Sequence, residues 1–328
     1  MSKAIRIYEQ GPPEVMKWED VEISPPGAGE IQVRQEIIGL NYIDTYHRTG
    51  LYKIPLPSGI GSEGAGMVEA VGPGVAEFKV GDRVAYGSGT PLQPVGSYAE
   101  VRNVPVARVV TIPEGISFEQ AAAMMLKGMT VQYLIHRTYA VKSGDTVLWH
   151  AAAGGVGLIA GQWLKKLGVN AIGTVGSDEK AKLAKAHGYK HVVNYSTENF
   201  VEKVKEITKG KKLPVIYDAV GKTTWDGSLD SLQPRGLMVS FGNASGPVAP
   251  VNLGILSTKG SLYVTRPTLA THIASRADLV ERSNALFDIV TSGKVKIETT
   301  AKYKLADAAQ AHRDLEGRKT TGSVVLIP

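Results

Sequence analysis

The chain reads as an α/β protein made of a doubly wound parallel-sheet domain and a β-rich, barrel-like domain. Two changes of pattern predict this. From Lys3 to about Thr111, segments with alternating apolar positions, such as IQVRQEIIGL and GDRVAYG, are separated by Pro/Gly breaks such as PPGAGE and GPGV, the signature of short strands. From about Ala123, short apolar runs alternate with helical stretches, the signature of a parallel sheet covered on both faces.

The alternating part can be followed pair by pair. TVLWHA is a strand and GVGLIAGQWLKKLG its helix; NAIGTVG and DEKAKLAKAHG form the next pair. HVVNYS precedes a helix near 201–208, PVIYDAV precedes one near 223–232, and LMVSFG and SLYVTRP supply two more strands. After about Thr265 an amphipathic helix carries Leu279, Val280, Leu286, Phe287 and Val290 on one face. IETTAKYKL, a helix near 307–315 and the closing strand SVVLIP follow, and these last pieces are expected to rejoin the first domain. The expected domains are thus 1–124, 125–264 and a return over 265–328.

Composition narrows the function classes. A chain of 328 residues has room for two domains at roughly 150 residues each. There is no cysteine, which excludes disulfides, thiolate nucleophiles, iron–sulfur clusters and sulfur-ligated zinc, and favours a reducing, cytoplasmic setting. The opening MSKAIRIYEQG has no apolar core of a signal peptide. The uncharged stretches 146–164 and 236–258 are interrupted by Gly154, Gly155, Gly157 and Gly161, and by Pro247 and Pro250, so no membrane span is expected. Net charge is +6, spread along the chain without a basic block.

The most informative segment is TVLWHAAAGGVGLIAGQWLKKLG, a strand running through a small-residue turn into a helix. This is the context of the dinucleotide-binding (Rossmann) fingerprint, with Ala152, Gly154 and Gly157 in the three glycine positions. Gly154 would admit a pyrophosphate to the backbone, Gly157 would let the helix pack on the sheet, and the helix N-terminus would face the anion. Alanine at the first position is tolerated if that residue does not need positive φ. The competing reading is a structural strand-to-helix turn. At the end of the next strand, Val175 to Ser177, no carboxylate stands ready for a ribose 2′-hydroxyl. Ser177, the next helix start and Lys180 suit a 2′-phosphate instead, which favours NADPH. Asp178 and Glu179 read as first-turn acids behind a Ser177 N-cap, and Lys180 could equally be a solvated helix lysine.

GLNYIDTY, LPSGIGSEGAGMVEAVGPGV, GDRVAY, AAAGGVGLIAGQW, VIYDAVG, GLMVSFGN and TGSVVLIP together resemble the medium-chain dehydrogenase/reductase superfamily. NYIDTYHRTGLY with AAAGGVGLIAGQW narrows the resemblance to its zinc-free, zeta-crystallin-like quinone oxidoreductase branch. The resemblance implies a GroES-like barrel substrate domain, a Rossmann cofactor domain, and a site in the cleft between them. It implies Asn41, Tyr46 and Tyr52 at the quinone. For NADPH it implies Tyr42, Ile43, Asp44, Thr45 and Tyr46, Thr130, and the turn Ala153, Gly154, Gly155 and Val156. Gly173, Thr174, Val175, Gly176, Ser177, Lys180 and Tyr195 would surround the adenosine ribose phosphate. Phe241, Gly242, Asn243, Ala244, Pro267, Thr268, Leu269 and Arg318 would close over the nicotinamide half. A homodimer through the edge strand near Ser261 to Val264 is implied as well.

Where zinc-dependent relatives place a cysteine ligand this chain resembles them with Asn41, and where they place histidine before glutamate it has Ser62 before Glu63. Amide and hydroxyl suit zinc poorly, and His187 and His191 are separated by a helix-ending Gly188, so no metal is expected. Without a Lewis acid the acceptor must take hydride readily, as a quinone does through aromatisation. The expected activity is NADPH-dependent reduction of a quinone, by hydride or by single electrons, without a metal. The alternatives are reduction of an enone or alkenal double bond, RNA binding, and NADPH binding without turnover.

Overall fold

The computed structural model describes residues 2–88 and 96–328. The chain divides into one unit of 1–129, 269–291 and 297–328, and a second of 130–268 and 292–296. The first begins with β1 (Ser2–Ile7), β2 (Lys17–Val21) and β3 (Glu30–Leu40), then helix α1 (Tyr42–Thr49). β4 (Ser58–Gly59), β5 (Glu63–Val71), β6 (Arg83–Gly87), β7 (Val101–Pro105) and β8 (Val110–Thr111) follow, and α2 (Phe118–Tyr133) leads out.

Helix α1 interrupts a region that reads as strands throughout. Its start is written in the sequence as Asn41-x-x-Asp44, a capping box: the Asn41 side chain accepts the Asp44 N–H, and the Asp44 carboxylate accepts the Asn41 N–H at 2.9 Å. Gly50, at φ 79°, ends it. The alternating strands bury Ile31, Val33, Val68, Val84 and Val104 against Phe78 and Tyr86, so period-two patterning becomes a core here.

The second unit runs β9 (Thr146–Trp149), α3 (Gly155–Lys166), β10 (Asn170–Val175), α4 (Asp178–Ala186), β11 (His191–Asn194) and α5 (Phe200–Ile207). It continues with β12 (Leu213–Asp218), α6 (Trp225–Ser231), β13 (Leu232–Ser240), α7 (Gly254–Thr258) and β14 (Tyr263–Thr265). All neighbours are parallel, in the order β11-β10-β9-β12-β13-β14. The order reverses between β9 and β12, and such a switch point leaves a crevice at the carboxyl ends of the strands.

The return comprises α8 (Leu269–His272), α9 (Arg276–Thr291), β15 (Thr299–Lys304), α10 (Ala308–Glu316) and β16 (Ser323–Ile327). β16 pairs with β3, and Leu305, Ala308, Ala311, Val324 and Leu326 complete a cluster with Ile5, Ile7, Ile38 and Leu40. On α9, Leu279, Leu286, Phe287 and Val290 are buried, while Val280 is half-buried. Among the described residues no helix is long and apolar enough to cross a membrane.

Candidate active site

In the second unit the turn between β9 and α3 combines strain, room and uncapped amides. Ala151 sits at φ 56°, so the left-handed residue of the turn lies one position before Ala152. Gly154 is the N-cap of α3, and no side chain caps that helix, whereas Ser177 caps α4 and Asn199 caps α5. A Cβ on Gly154 would meet only the Ala151 carbonyl oxygen, at 3.3 Å. A Cβ on Gly157 would lie 2.5 and 2.6 Å from the carbonyl oxygens of Ala151 and Ala152. Gly154, half-buried, therefore has one close neighbour for a Cβ beside the α3 N-terminus, and Gly157 allows the helix its close approach. Such a helix start can take an anion of the size of a dinucleotide pyrophosphate.

Beneath the turn lies a polar network without an obvious sequence signal. His150, fully buried at the end of β9, contacts Thr174 Oγ1 at 2.8 Å and Ser228 Oγ at 2.9 Å. Asp218 ends β12 and accepts Val220 N–H, Gly221 N–H and Thr224 Oγ1 at 2.7, 3.0 and 2.7 Å. Burial holds His150 below the usual histidine range, with Asp218 acting in the opposite sense. Ser228 Oγ joins the two groups by donating to Asp218 Oδ2 at 3.4 Å, so the ends of β9, β10 and β12 are tied together.

At the end of β10, Ser177 Oγ accepts the Lys180 N–H at 3.3 Å, the N-cap the sequence suggests. Asp178 is occupied by the Asn194 amide at 2.9 Å. Glu179 is held below the usual carboxylate range by its own backbone N–H and by Ser177. Gly176 lies against the Tyr195 phenol, where a Cβ would come within 2.7 Å of the hydroxyl. Phe241 edges onto Trp149 at 5.6 Å, and Ala244 N–H reaches Ala219 O at 3.1 Å. Arg266, which sequence reasoning missed, joins Ser240 Oγ and Gly242 O at 3.2 and 2.9 Å beside Pro267 and Thr268; its only signal was a cation directly before Pro267. Thr130 is buried on α2, and Leu269 opens α8.

In the first unit, α1 carries an aromatic cluster. Tyr42 and Tyr46 stand 5.6 Å apart, Tyr46 and Tyr52 5.2 Å, and Tyr52 meets His47 at 6.1 Å. Burial and the Glu316 carboxylate push the Tyr42 phenol up, and the Arg318 guanidinium pulls it down, so Arg318 lies within electrostatic reach of Tyr42. Ile43 and Thr45 share this helix, and Thr45 Oγ1 donates to Tyr42 O at 2.7 Å. Asp44 is fully buried and accepts Asn41 N–H, Tyr98 Oη and Ser62 Oγ at 2.9, 3.0 and 3.2 Å, so its carboxylate serves the helix start. Desolvation nevertheless pushes it up to about 7.

Comparison with known proteins bears on both units. Family models described as "Alcohol dehydrogenase GroES-like domain" and "Zinc-binding dehydrogenase" match residues 27–114 and 155–280. A quinone oxidoreductase of Pseudomonas aeruginosa is 55% identical over 329 residues, covering 100% of both chains. The chain belongs to the quinone oxidoreductase family. The crystal structure of Escherichia coli quinone oxidoreductase complexed with NADPH is similar at a TM-score of 0.96 and 52% identity, covering 99% of this chain and 100% of that one. A 2-haloacrylate reductase of a Burkholderia species is 43% identical, covering 100% of this chain and 99% of the relative.

Asn41, Ser62 and Glu63, which stand where zinc-dependent relatives place ligands, are turned to other partners. Asn41 Nδ2 donates to Glu63 Oε2 at 2.7 Å, and Ser62 donates to Asp44. The buried Glu63 carboxylate also receives Leu126 N–H at 2.7 Å and the Lys127 ammonium at 3.1 Å. An amide, a hydroxyl and a carboxylate already neutralised by lysine are not a donor set for zinc. His187 ends α4 and donates to Leu183 O, His191 lies on β11, and Gly188 at φ 101° separates them. Among the described residues no three of His, Asp and Glu gather as a metal cluster. The Glu63–Lys127 pair had no signature in the sequence, since its partners are 64 positions apart.

Proposed function

We propose that the chain is an NADPH-dependent quinone reductase. The observation that carries this reading is the β9–α3 turn, where α3 starts at a half-buried glycine N-cap with no side-chain cap. The bound cofactor supplies hydride to the acceptor. The chain's own part is to hold it: in the turn from Ala153 to Val156 the N–H groups of Ala153, Gly155 and Val156 take the pyrophosphate, the Gly154 N–H donating to Ala151 O at 3.0 Å, and Gly173 to Ser177, Lys180 and Tyr195 surround the phosphorylated ribose. The lack of a carboxylate between Val175 and Ser177, with Asp178 committed to Asn194, supports NADPH over NADH. Asn41, Tyr46 and Tyr52 are assigned to the quinone, whose ring the phenols can stack on and whose oxygens they can hydrogen-bond. The product takes one hydride and one proton, and water supplies the proton.

The similarity to a 2-haloacrylate reductase favours one second reading, reduction of an activated carbon–carbon double bond. NADPH oxidation followed at 340 nm with chelator-treated protein, offering a quinone, an enone and a simple ketone in parallel, separates the two. Quinone turnover alone is expected. Enone turnover alone moves the assignment to the second reading, and silence with every acceptor despite NADPH binding overturns both. We also propose a cytoplasmic homodimer paired through β14, the edge of the parallel sheet, where Tyr263 and Val264 are exposed. A stable monomer in sedimentation at low concentration would contradict the dimer.

A further inference from the structure

The spacing of α1 gives it two functional faces. Tyr42 and Tyr46 are four residues apart, and so are Asp44 and Arg48; at about 100° per residue the second pair points roughly 200° away from the first. The phenols occupy one side, and a buried carboxyl and a buried guanidinium occupy the other, at 0% and 1% exposure. Helix α10 repeats the spacing with His312 and Glu316, and it is this pair that meets the back of α1.

The contacts form one continuous chain. Arg48 grips Glu316 with both terminal nitrogens, at 3.0 and 2.8 Å, and donates through Nε to Gly11 O at 3.0 Å. Its Nη1 also lies 2.8 Å from His312 Nδ1. His312 Nε2 lies 3.0 Å from Tyr98 Oη, and Tyr98 Oη lies 3.0 Å from Asp44 Oδ2.

Chemistry fixes the direction of every link. A guanidinium only donates, so His312 Nδ1 must accept and its proton must sit on Nε2. That Nε2–H donates to the Tyr98 oxygen, and the Tyr98 hydroxyl then has its proton turned to Asp44. Burial and the adjacent Arg48 charge hold His312 neutral, with its pKa down at about 3. Arg48 has no proton to release at ordinary pH, so the chain cannot relay protons to the surface. What it does is align donors onto the carboxylate that also caps α1 through Asn41 N–H.

We propose that Arg48, His312 and Tyr98 are positioning residues that lock the back of α1, so that Tyr46 on its front is held in one orientation for the acceptor. The role rests on the reading of that tyrosine face as part of the acceptor site. An eight-residue helix has little stability of its own, and its orientation must come from tertiary anchors.

Two measurements on the full chain test this. The first is ¹⁵N-histidine NMR, which reads the tautomer without reference to activity; His312 is expected as the Nε2–H form without titration from about pH 5 to 9, given the guanidinium at Nδ1. An Nδ1–H form overturns the chain. The second compares His312→Gln, whose amide retains an acceptor and a donor, with His312→Leu and the milder Tyr98→Phe. His312→Gln should stay within about 3-fold of wild-type kcat/KM for a quinone, while the other two lose about 10-fold or more well below their own Tm, with NADPH affinity within about 3-fold. A purely structural role would lower Tm and leave kcat/KM intact, and that outcome overturns the proposal. Failure of the wild type to reduce any quinone, with the tautomer as expected, would remove the acceptor reading and the role resting on it; wild-type turnover that His312→Leu leaves unchanged would remove the positioning role alone.

Discussion

Gly154 and Gly157 should fail in opposite ways. Gly154 has φ −80°, an ordinary value for any residue, and its absent Cβ faces a single atom at 3.3 Å. Gly154→Val should therefore fold: losing a glycine N-cap costs a few tenths to about 1 kcal/mol, or ~1–4 °C in Tm. The isopropyl group would fill the space in front of the α3 amides and raise the Kd for NADPH by ~100-fold or more, since a pyrophosphate excluded from that helix end loses several charge-assisted hydrogen bonds. At Gly157 even a methyl group collides, lying 2.5 to 2.7 Å from three backbone atoms of Ala151 and Ala152. Backbone cannot swing aside like a side chain, so Gly157→Ala should cost ~1–3 kcal/mol or more and lower Tm by ~3–10 °C. Differential scanning fluorimetry without cofactor and titration of NADPH fluorescence separate the effects. Wild-type NADPH affinity in Gly154→Val, or wild-type stability in Gly157→Ala, would refute the reasoning.

Other expectations follow from the same contacts. Lys180→Ala should weaken NADPH by ~10- to 100-fold and leave NADH nearly unchanged, because a hydrogen bond to a charged group contributes ~1.5–3 kcal/mol; equal losses in calorimetric titrations would remove the 2′-phosphate role. Tyr46→Phe and Tyr52→Phe should each lower kcat/KM for a quinone by roughly 3- to 10-fold, the scale of one hydrogen bond, with little change in Tm; unchanged kinetics would count against the assignment. Acid should expose the buried histidines. Burial lowers His47 to about 4 and His312 to about 3, so below 6.5 the unfolded chain binds protons that the folded one refuses, and stability falls as pH drops from 6.5 towards 4. Asp44, raised to about 7, has the opposite sign: its contribution falls as pH rises from about 4 to 7. Asp44→Asn should therefore steepen the loss between pH 6.5 and 4.5 by ~1.4 kcal/mol per pH unit, as measured by urea unfolding, and an unchanged slope would contradict the assigned burial.

The doubly wound sheet was legible because each strand and helix in 146–265 carries its own periodicity and turn signals. Helix α1 was not, because Tyr42, Ile43, Thr45 and Tyr46 favour strands and its eight residues lie between strands. Its signals were the Asn41-x-x-Asp44 box at its start and Gly50 at its end. The strand–turn–helix with Gly154 at the helix start was readable, but the positive φ fell on Ala151, since alanine gives no sign of a left-handed residue. The polar groups behind the site left no local trace. Arg48 and Glu316 are 268 positions apart, and His150 and Ser228 are 78 apart, so only the fold brings them together.

The central claim is that this chain moves reducing equivalents from NADPH to a quinone with no metal at the site. The most direct test compares kcat/KM for NADPH and for NADH with one small quinone, using protein freed of metal by chelation and checked by elemental analysis. Quinone reduction that survives chelation and prefers NADPH by at least ~10-fold, about 1.4 kcal/mol of discrimination, is the predicted result. Turnover that disappears with the metal, or that runs equally well on NADH, would contradict it.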